Sequence, residues 1–239
     1  MDALWLQLIQ WLHAVGLPLD GGTVVAAGEG AARVAGRLDL PGLLALAAAL
    51  GWASGLRLYA VVFLTGLAGA TGWLALPEGL RLLQHPAMLA ASGALLFVEF
   101  FADKIPGLDS LWDLLQSVIR IPAGAALAAG VFGADSATLA TAAALMGGTL
   151  AATSQAAKTT TRAAINTSPE PLSNLLASFA EDGLVVGALW LAATHPVLFG
   201  IALLIAVVLM WIVTWVLFRF LRGVWRRVAR WVGGSPARG

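Results

Sequence analysis

The chain has 239 residues, of which 59% are hydrophobic and only 11% charged, where a soluble domain carries roughly 45–50% and about 25%. Fourteen basic residues against 13 acidic ones leave a formal charge of +1, and there is no cysteine. So little polar surface cannot cover a water-facing globule, no overall field draws in nucleic acid, and disulfides and thiolate metal sites are excluded; the composition is that of an integral membrane protein.

In chain order, Leu4, Trp5, Leu8, Ile9, Leu12 and Val15 recur at helical spacing opposite Gln7, Gln10 and His13, as in an interfacial helix. The only early charge is Asp2, so this segment lacks the basic start of a cleaved leader. After the Asp20-Gly21-Gly22 turn, Glu29, Arg33 and Arg37 form an i,i+4 stripe on a second amphipathic helix. Residues 42–70 are long enough to cross a bilayer but are interrupted by Gly51, Ser54, Gly55 and Arg57, and residues 87–102 cross in the other direction, ending on Asp103-Lys104. Residues 109–120 put Leu111, Trp112, Leu115, Val118 and Ile119 on one face opposite Asp113, Gln116 and Arg120, which predicts a mid-chain interfacial helix. The short, Ala/Gly-rich stretch 121–132 reads as a tilted or half-length segment packed within protein.

Residues 139–152 form a further segment that continues into a polar run holding Thr153, Ser154, Gln155, Lys158, Thr159, Thr160, Thr161 and Arg162. That run reads either as a solvated helix end or as a set of donors around the lysine. Residues 171–193 cross with Glu181 and Asp182 inside the span, Ser168 is placed to cap that helix, and Thr194-His195-Pro196 turns into 197–218. This last stretch is uncharged and exceeds the roughly 30 Å hydrocarbon thickness. Arg219, Arg222, Arg226, Arg227 and Arg230 follow it, interleaved with Phe220, Trp225 and Trp231, as at a cytoplasmic surface.

The expected fold is therefore an all-α integral membrane protein of about six membrane segments, with N-terminal and mid-chain amphipathic interfacial helices. Alternating segments place both termini in the cytoplasm and leave Arg81 as the one basic residue outside, in keeping with a bacterial inner membrane. Three regions follow: interfacial helices over 1–40, a membrane domain over 41–195, and a final helix with a basic tail over 196–239. Phe101-Ala102-Asp103-Lys104 compares with Phe179-Ala180-Glu181-Asp182, and residues 45–50 compare with 140–145, which suggests a 3+3 inverted repeat. Gly51 with Gly55, and Gly183 with Gly187, have the spacing of close helix crossings.

A charge near the bilayer centre costs at least ~2.5–3.5 kcal/mol, so Arg57, Glu99, Glu181 and Asp182 must face protein or water. Glu99 and Asp103 share one helical face and Lys158 and Arg162 another. Two readings follow. Arg57, Lys158 and Arg162, with Asn166, bind an anionic solute while Glu99, Asp103, Glu181 and Asp182 exchange a proton or ion; alternatively, the charges are structural ion pairs that fix helix register. Asp109 and Asp113 lie at i,i+4 and could hold Mg²⁺, but an amphipathic helix is the better account of them. His13, His85 and His195 sit at segment edges, far apart, and no catalytic motif is present, so neither a metal, a cofactor nor an enzyme activity is expected.

The run from Glu99 through Asp103-Lys104-Ile105-Pro106-Gly107 to Asp109 and Asp113, continuing to Arg120-Ile121-Pro122, has a companion in Lys158, Arg162, Asn166-Thr167-Ser168-Pro169-Glu170-Pro171, Asn174 and Glu181-Asp182. Together, and with Arg57 in Gly55-Leu56-Arg57-Leu58-Tyr59, these motifs resemble the bacterial membrane proteins grouped as domain of unknown function 4126, over roughly residues 42–195. The resemblance implies a shared membrane domain and brings no catalytic assignment. The functional expectation is a transporter or flippase-like carrier of a small anionic or phosphate-bearing solute or lipid. The alternative is a non-transporting scaffold or assembly protein. Expected partners are the bilayer and that solute, with homo-oligomer formation left open.

Overall fold

The computed structural model describes residues 39–105, 108–133, 136–167 and 171–232. The interfacial helices expected before residue 39, the Asp20-Gly21-Gly22 turn and the Ser168 cap lie outside the described residues. The described elements are all helical: α1 (Leu40–Ala70), a 3-10 turn (Glu78–Gln84), α2 (Pro86–Ala102), α3 (Leu108–Gly130), α4 (Ala137–Ile165), α5 (Pro171–Thr194) and α6 (Pro196–Val232). Local chemistry sets their starts. Asp39 accepts a hydrogen bond from the Gly42 amide (3.1 Å) ahead of a first-turn proline, His85 Nδ1 accepts from Ala87 (3.2 Å) before Pro86, and Ser136 Oγ accepts from Leu139 (3.3 Å).

α1 is not one straight rod. Arg57 has φ −147° and ψ 86°, outside the helical region, and the chain doubles back there. In a straight helix Leu46 and Thr65 would lie about 28 Å apart; here Leu46, Leu64, Thr65 and Ala68 line one cavity. Residues 40–56 and 58–70 are thus two limbs of a hairpin whose tip is Arg57. α4 runs parallel to the first limb, with Gly51 against Gly147 and Gly55 against Ala151 and Ser154. At both glycines a Cβ would run into backbone of the neighbouring helix, so only glycine permits this approach. α3 runs antiparallel to both, Gly124 meeting Gly51 and Ala151, while α2 packs against the second limb through Gly93 on Phe63. The first limb is the centre of the core: Leu46, Ala47, Ala49, Leu50 and Ala53 are all buried.

Among the described residues three helices are long and apolar enough to cross a membrane, Leu40–Ala70, Leu172–Thr194 and Pro196–Arg227. There are four if the Glu78–Gln84 turn and Pro86–Ala102, bent by 68°, count as one span. This corrects the sequence reading in several places. The 42–70 segment does not traverse the bundle once; its break returns the chain to the end where it started, so residue 40 lies at the end opposite the far terminus of α6. The proposed interfacial helix 109–120 and half-length segment 121–132 are one helix, with Pro122 inside it. The inverted repeat is not supported either: residues 45–50 run parallel to 140–145, whereas the segments ending at Asp103 and containing Glu181 run in opposite directions. Of the two glycine pairs, Gly51 and Gly55 make a crossing, but Gly183 and Gly187 face open space.

Candidate functional site

The hairpin tip puts a guanidinium where five segments converge. Arg57 Nη2 lies 2.9 Å from Asp103 Oδ2, just past the end of α2, and donates to Ser178 Oγ on α5 at 2.7 Å. Arg57 Nε lies 2.7 Å from Asp182 Oδ1. Lys158 on α4 sits among three carboxylates, Asp103 (3.2 Å), Asp113 (3.1 Å) and Glu181 (3.2 Å), and donates to the Leu56 carbonyl at 3.0 Å, an acceptor left open by the α1 break. One turn on, Arg162 is held by Glu181 (3.1 Å to each oxygen from Nη2) and by Asn174 Oδ1 at 2.9 Å. Asn166 donates to both oxygens of Asp109 (3.0 and 3.1 Å) and accepts from Asn174 (3.0 Å).

Every sequence-predicted site residue therefore falls in one network: Arg57, Lys158, Arg162, Asn166, Glu99, Asp103, Glu181 and Asp182. Glu99 enters through a residue that sequence reasoning did not assign to the site. Arg120 on α3 pairs with Glu99, with Asp113 at 2.8 Å and with Gln155 at 2.9 Å, while Gln155 donates to the Asp113 carbonyl at 3.0 Å. Asp109, Asp113, Gln155, Asn174 and Ser178 were likewise missed as site residues. The signal for three of them was present. Asp109, Asp113, Gln116 and Arg120 follow i, i+4, i+7, i+11 on α3, a polar stripe that faces the protein interior, while Leu111, Leu115, Val118 and Ile119 face outward. In lipid the usual amphipathic sense inverts, because the solvent is apolar. The polar run on α4 splits the same way: Ser154 and Gln155 are buried and used, whereas Thr159 and Thr160 bond back to their own helix.

The cations of the network are buried and paired. The side chains of Arg57, Arg120, Lys158 and Arg162 are 0% exposed, and each has at least one carboxylate within 3.2 Å. The anion site expected from Arg57, Lys158 and Arg162 is thus occupied by the protein's own acids. Those acids outnumber the cations. Glu99, Asp103, Asp113, Glu181 and Asp182 all lie within ion-pair reach, with Asp109 at 4.0 Å from Arg162. Lys104, in the loop after α2, brings a fifth cation but sits over the Phe100 ring, 3.0 Å from its centroid. Its ammonium is held below the usual lysine range by desolvation and by the Arg57 guanidinium. Among the described residues no group of three acidic or histidine side chains could hold a metal ion. Asp182 is the most exposed of the paired acids, its side chain 29% exposed, and it lines a cavity between α1, α2 and α5.

No curated protein and no solved structure matches the chain. The sequence pattern of a family described as Domain of unknown function (DUF4126) matches residues 44–218, which takes in the whole network and also most of α6, a helix the motifs alone had left outside. The chain belongs to the DUF4126 family.

Proposed function

We propose that the protein is a multi-pass carrier of the bacterial inner membrane, in which α2 to α6 cross the bilayer around the re-entrant hairpin of α1 and the buried network binds and releases a charge during transport. The observation that carries this reading is the break of α1 at Arg57. Interrupted helices that expose backbone groups and a charge inside a membrane bundle are the usual construction of ion and solute sites, and Lys158 occupies the freed Leu56 carbonyl here. The second limb is only about 20 Å long, short of a full crossing. The low overall hydropathy of α3 and α4 fits membrane helices whose polar stripes face protein.

The surplus of acids makes Glu99, Asp103, Glu181 and Asp182 the coupling groups, taking up a proton or another monovalent cation. An anionic or phosphate-bearing solute, suggested by the basic residues alone, must displace a carboxylate from one of them; Arg57 Nη1, buried without a hydrogen-bond partner, favours that position for it. The scaffold reading has its own support, since all four buried cations are paired. One double variant separates the two. Lys158→Gln alone takes the shared cation from three carboxylates, each of which keeps an arginine, and adding Asp103→Asn restores the balance of charge, so the double variant regains thermal stability on either reading. A carrier regains stability without regaining flux when proteoliposomes are assayed with carboxylate-, phosphate- and amine-bearing solutes and lipids. A double variant with undiminished flux overturns the part given to Lys158 and Asp103 in transport, and wild-type protein that moves nothing in that panel overturns the carrier.

A further inference from the structure

The cavity beside Asp182 has a volume of about 410 Å³, inside the roughly 300–1,000 Å³ range of small-molecule sites. Its walls include Leu64, Leu96, Phe97, Phe100 and Val185, and Asp182 is its single charged lining residue. Phe97 and Val186, on its rim, are 65% and 54% exposed and belong to the apolar outer face of the bundle, so the mouth opens sideways, toward lipid rather than toward either aqueous surface. Asp182 gives one oxygen to Arg57 Nε, while the side chain keeps exposed surface on the cavity side. With Asp182 counted, the network carries six carboxylates, Glu99, Asp103, Asp109, Asp113, Glu181 and Asp182, against the five cations Arg57, Lys104, Arg120, Lys158 and Arg162, so even with Lys104 over the Phe100 wall a further positive charge is electrostatically favoured there and a further negative one opposed.

The geometry points to a binding site for a monovalent organic cation with an apolar body, an amine- or phosphonium-type amphiphile that enters from the lipid side and sets its charge against Asp182. Two alternatives fit less well. A hydrated inorganic ion meets only one carboxylate and apolar walls, and among the described residues no group of three or more acidic or histidine side chains could hold a metal ion. An anionic amphiphile would bring its headgroup against the one acid in the cavity. The inference names the solute class for the proposed carrier and rests on that reading for transport, but binding itself can be measured without it.

The test uses purified full-length protein in an uncharged detergent with tetraphenylphosphonium and tetraphenylborate, hydrophobic ions of near-equal size and opposite charge, followed by equilibrium dialysis. The phosphonium is expected to bind saturably, and at least about tenfold more tightly than the borate; Asp182→Asn should weaken it by about ten- to a hundredfold, the effect of losing one charge-assisted partner. Asp103 still pairs with Arg57 in that variant, and its fold is checked by thermal unfolding. Leu96→Trp, which fills the cavity and leaves every charge in place, should abolish phosphonium binding. Equal or tighter borate binding, no phosphonium binding by wild type, or binding that survives both substitutions overturns the site. Phosphonium binding without flux in proteoliposomes would overturn the carrier and leave the site standing, whereas flux of other solutes without phosphonium binding would do the reverse.

Discussion

Arg120 shows how much of the network depends on geometry rather than on charge alone. Its guanidinium reaches Glu99, Asp113 and Gln155 at once, from a side chain that is fully buried. A lysine ammonium is a point donor on a flexible stem and cannot reproduce that fork. Arg120→Lys is therefore expected to destabilise the protein in detergent nearly as much as Arg120→Gln, by ~3–5 kcal/mol for the latter. Combining Arg120→Gln with Glu99→Gln should recover a large part of the loss in a thermal-unfolding series; recovery by lysine instead would show that charge, not shape, governs the pair. At this scale the sequence was informative about which charges are buried, because bilayer energetics make Arg57, Glu99 and Glu181 conspicuous. It was silent about partners. Ser178 and Asn174 look like ordinary polar residues until the hairpin tip and α4 are brought against them, and sequence spacing on one helix cannot show what another helix supplies.

Elements were legible where a single period or break carried the information. The interruption around Gly51, Ser54, Gly55 and Arg57 marked the right place, but a one-residue departure from helical φ and ψ can bend a helix slightly or fold it back, and only packing decides. α3 departs from the sequence reading for a different reason: the change of composition after residue 120 suggests two segments, whereas one helix runs through both with its polar stripe turned into the protein. The close packing of α1 on α4 has a direct test. Gly51→Ala sets a methyl against the backbone of Gly147, which no side-chain rotation relieves, and should cost about 1–3 kcal/mol, whereas Gly187→Ala, facing open space, should be neutral or stabilising by less than about 1 kcal/mol. Thermal midpoints of the two variants decide it; equal losses would mean that the α1–α4 crossing is looser than described.

For the whole molecule, the folded-back α1 changes which ends of the bundle share a side. Loops 71–85 and 194–196 lie at the end where residue 40 begins, and the loops before α3 and after α4 lie with the arginine-rich end of α6. The absence of cysteine makes single-cysteine labelling direct. Leu40→Cys and Arg81→Cys should react from one face of sealed vesicles, and Thr167→Cys and Arg222→Cys from the other; Leu40→Cys reacting together with Arg222→Cys would mean that α1 crosses once. The hairpin also sets a schedule for biosynthesis. Arg57 bonds to Ser178, made 121 residues later, and Lys158 closes on the Leu56 carbonyl after 102 residues. At the usual rate of synthesis the arginine waits on the order of ten seconds for its last partners. During that interval Asp103 is the carboxylate already made that can hold Arg57, so a chain stopped before Ser178 keeps that pair but lacks the Ser178 and Asp182 contacts that close the hairpin tip against α5.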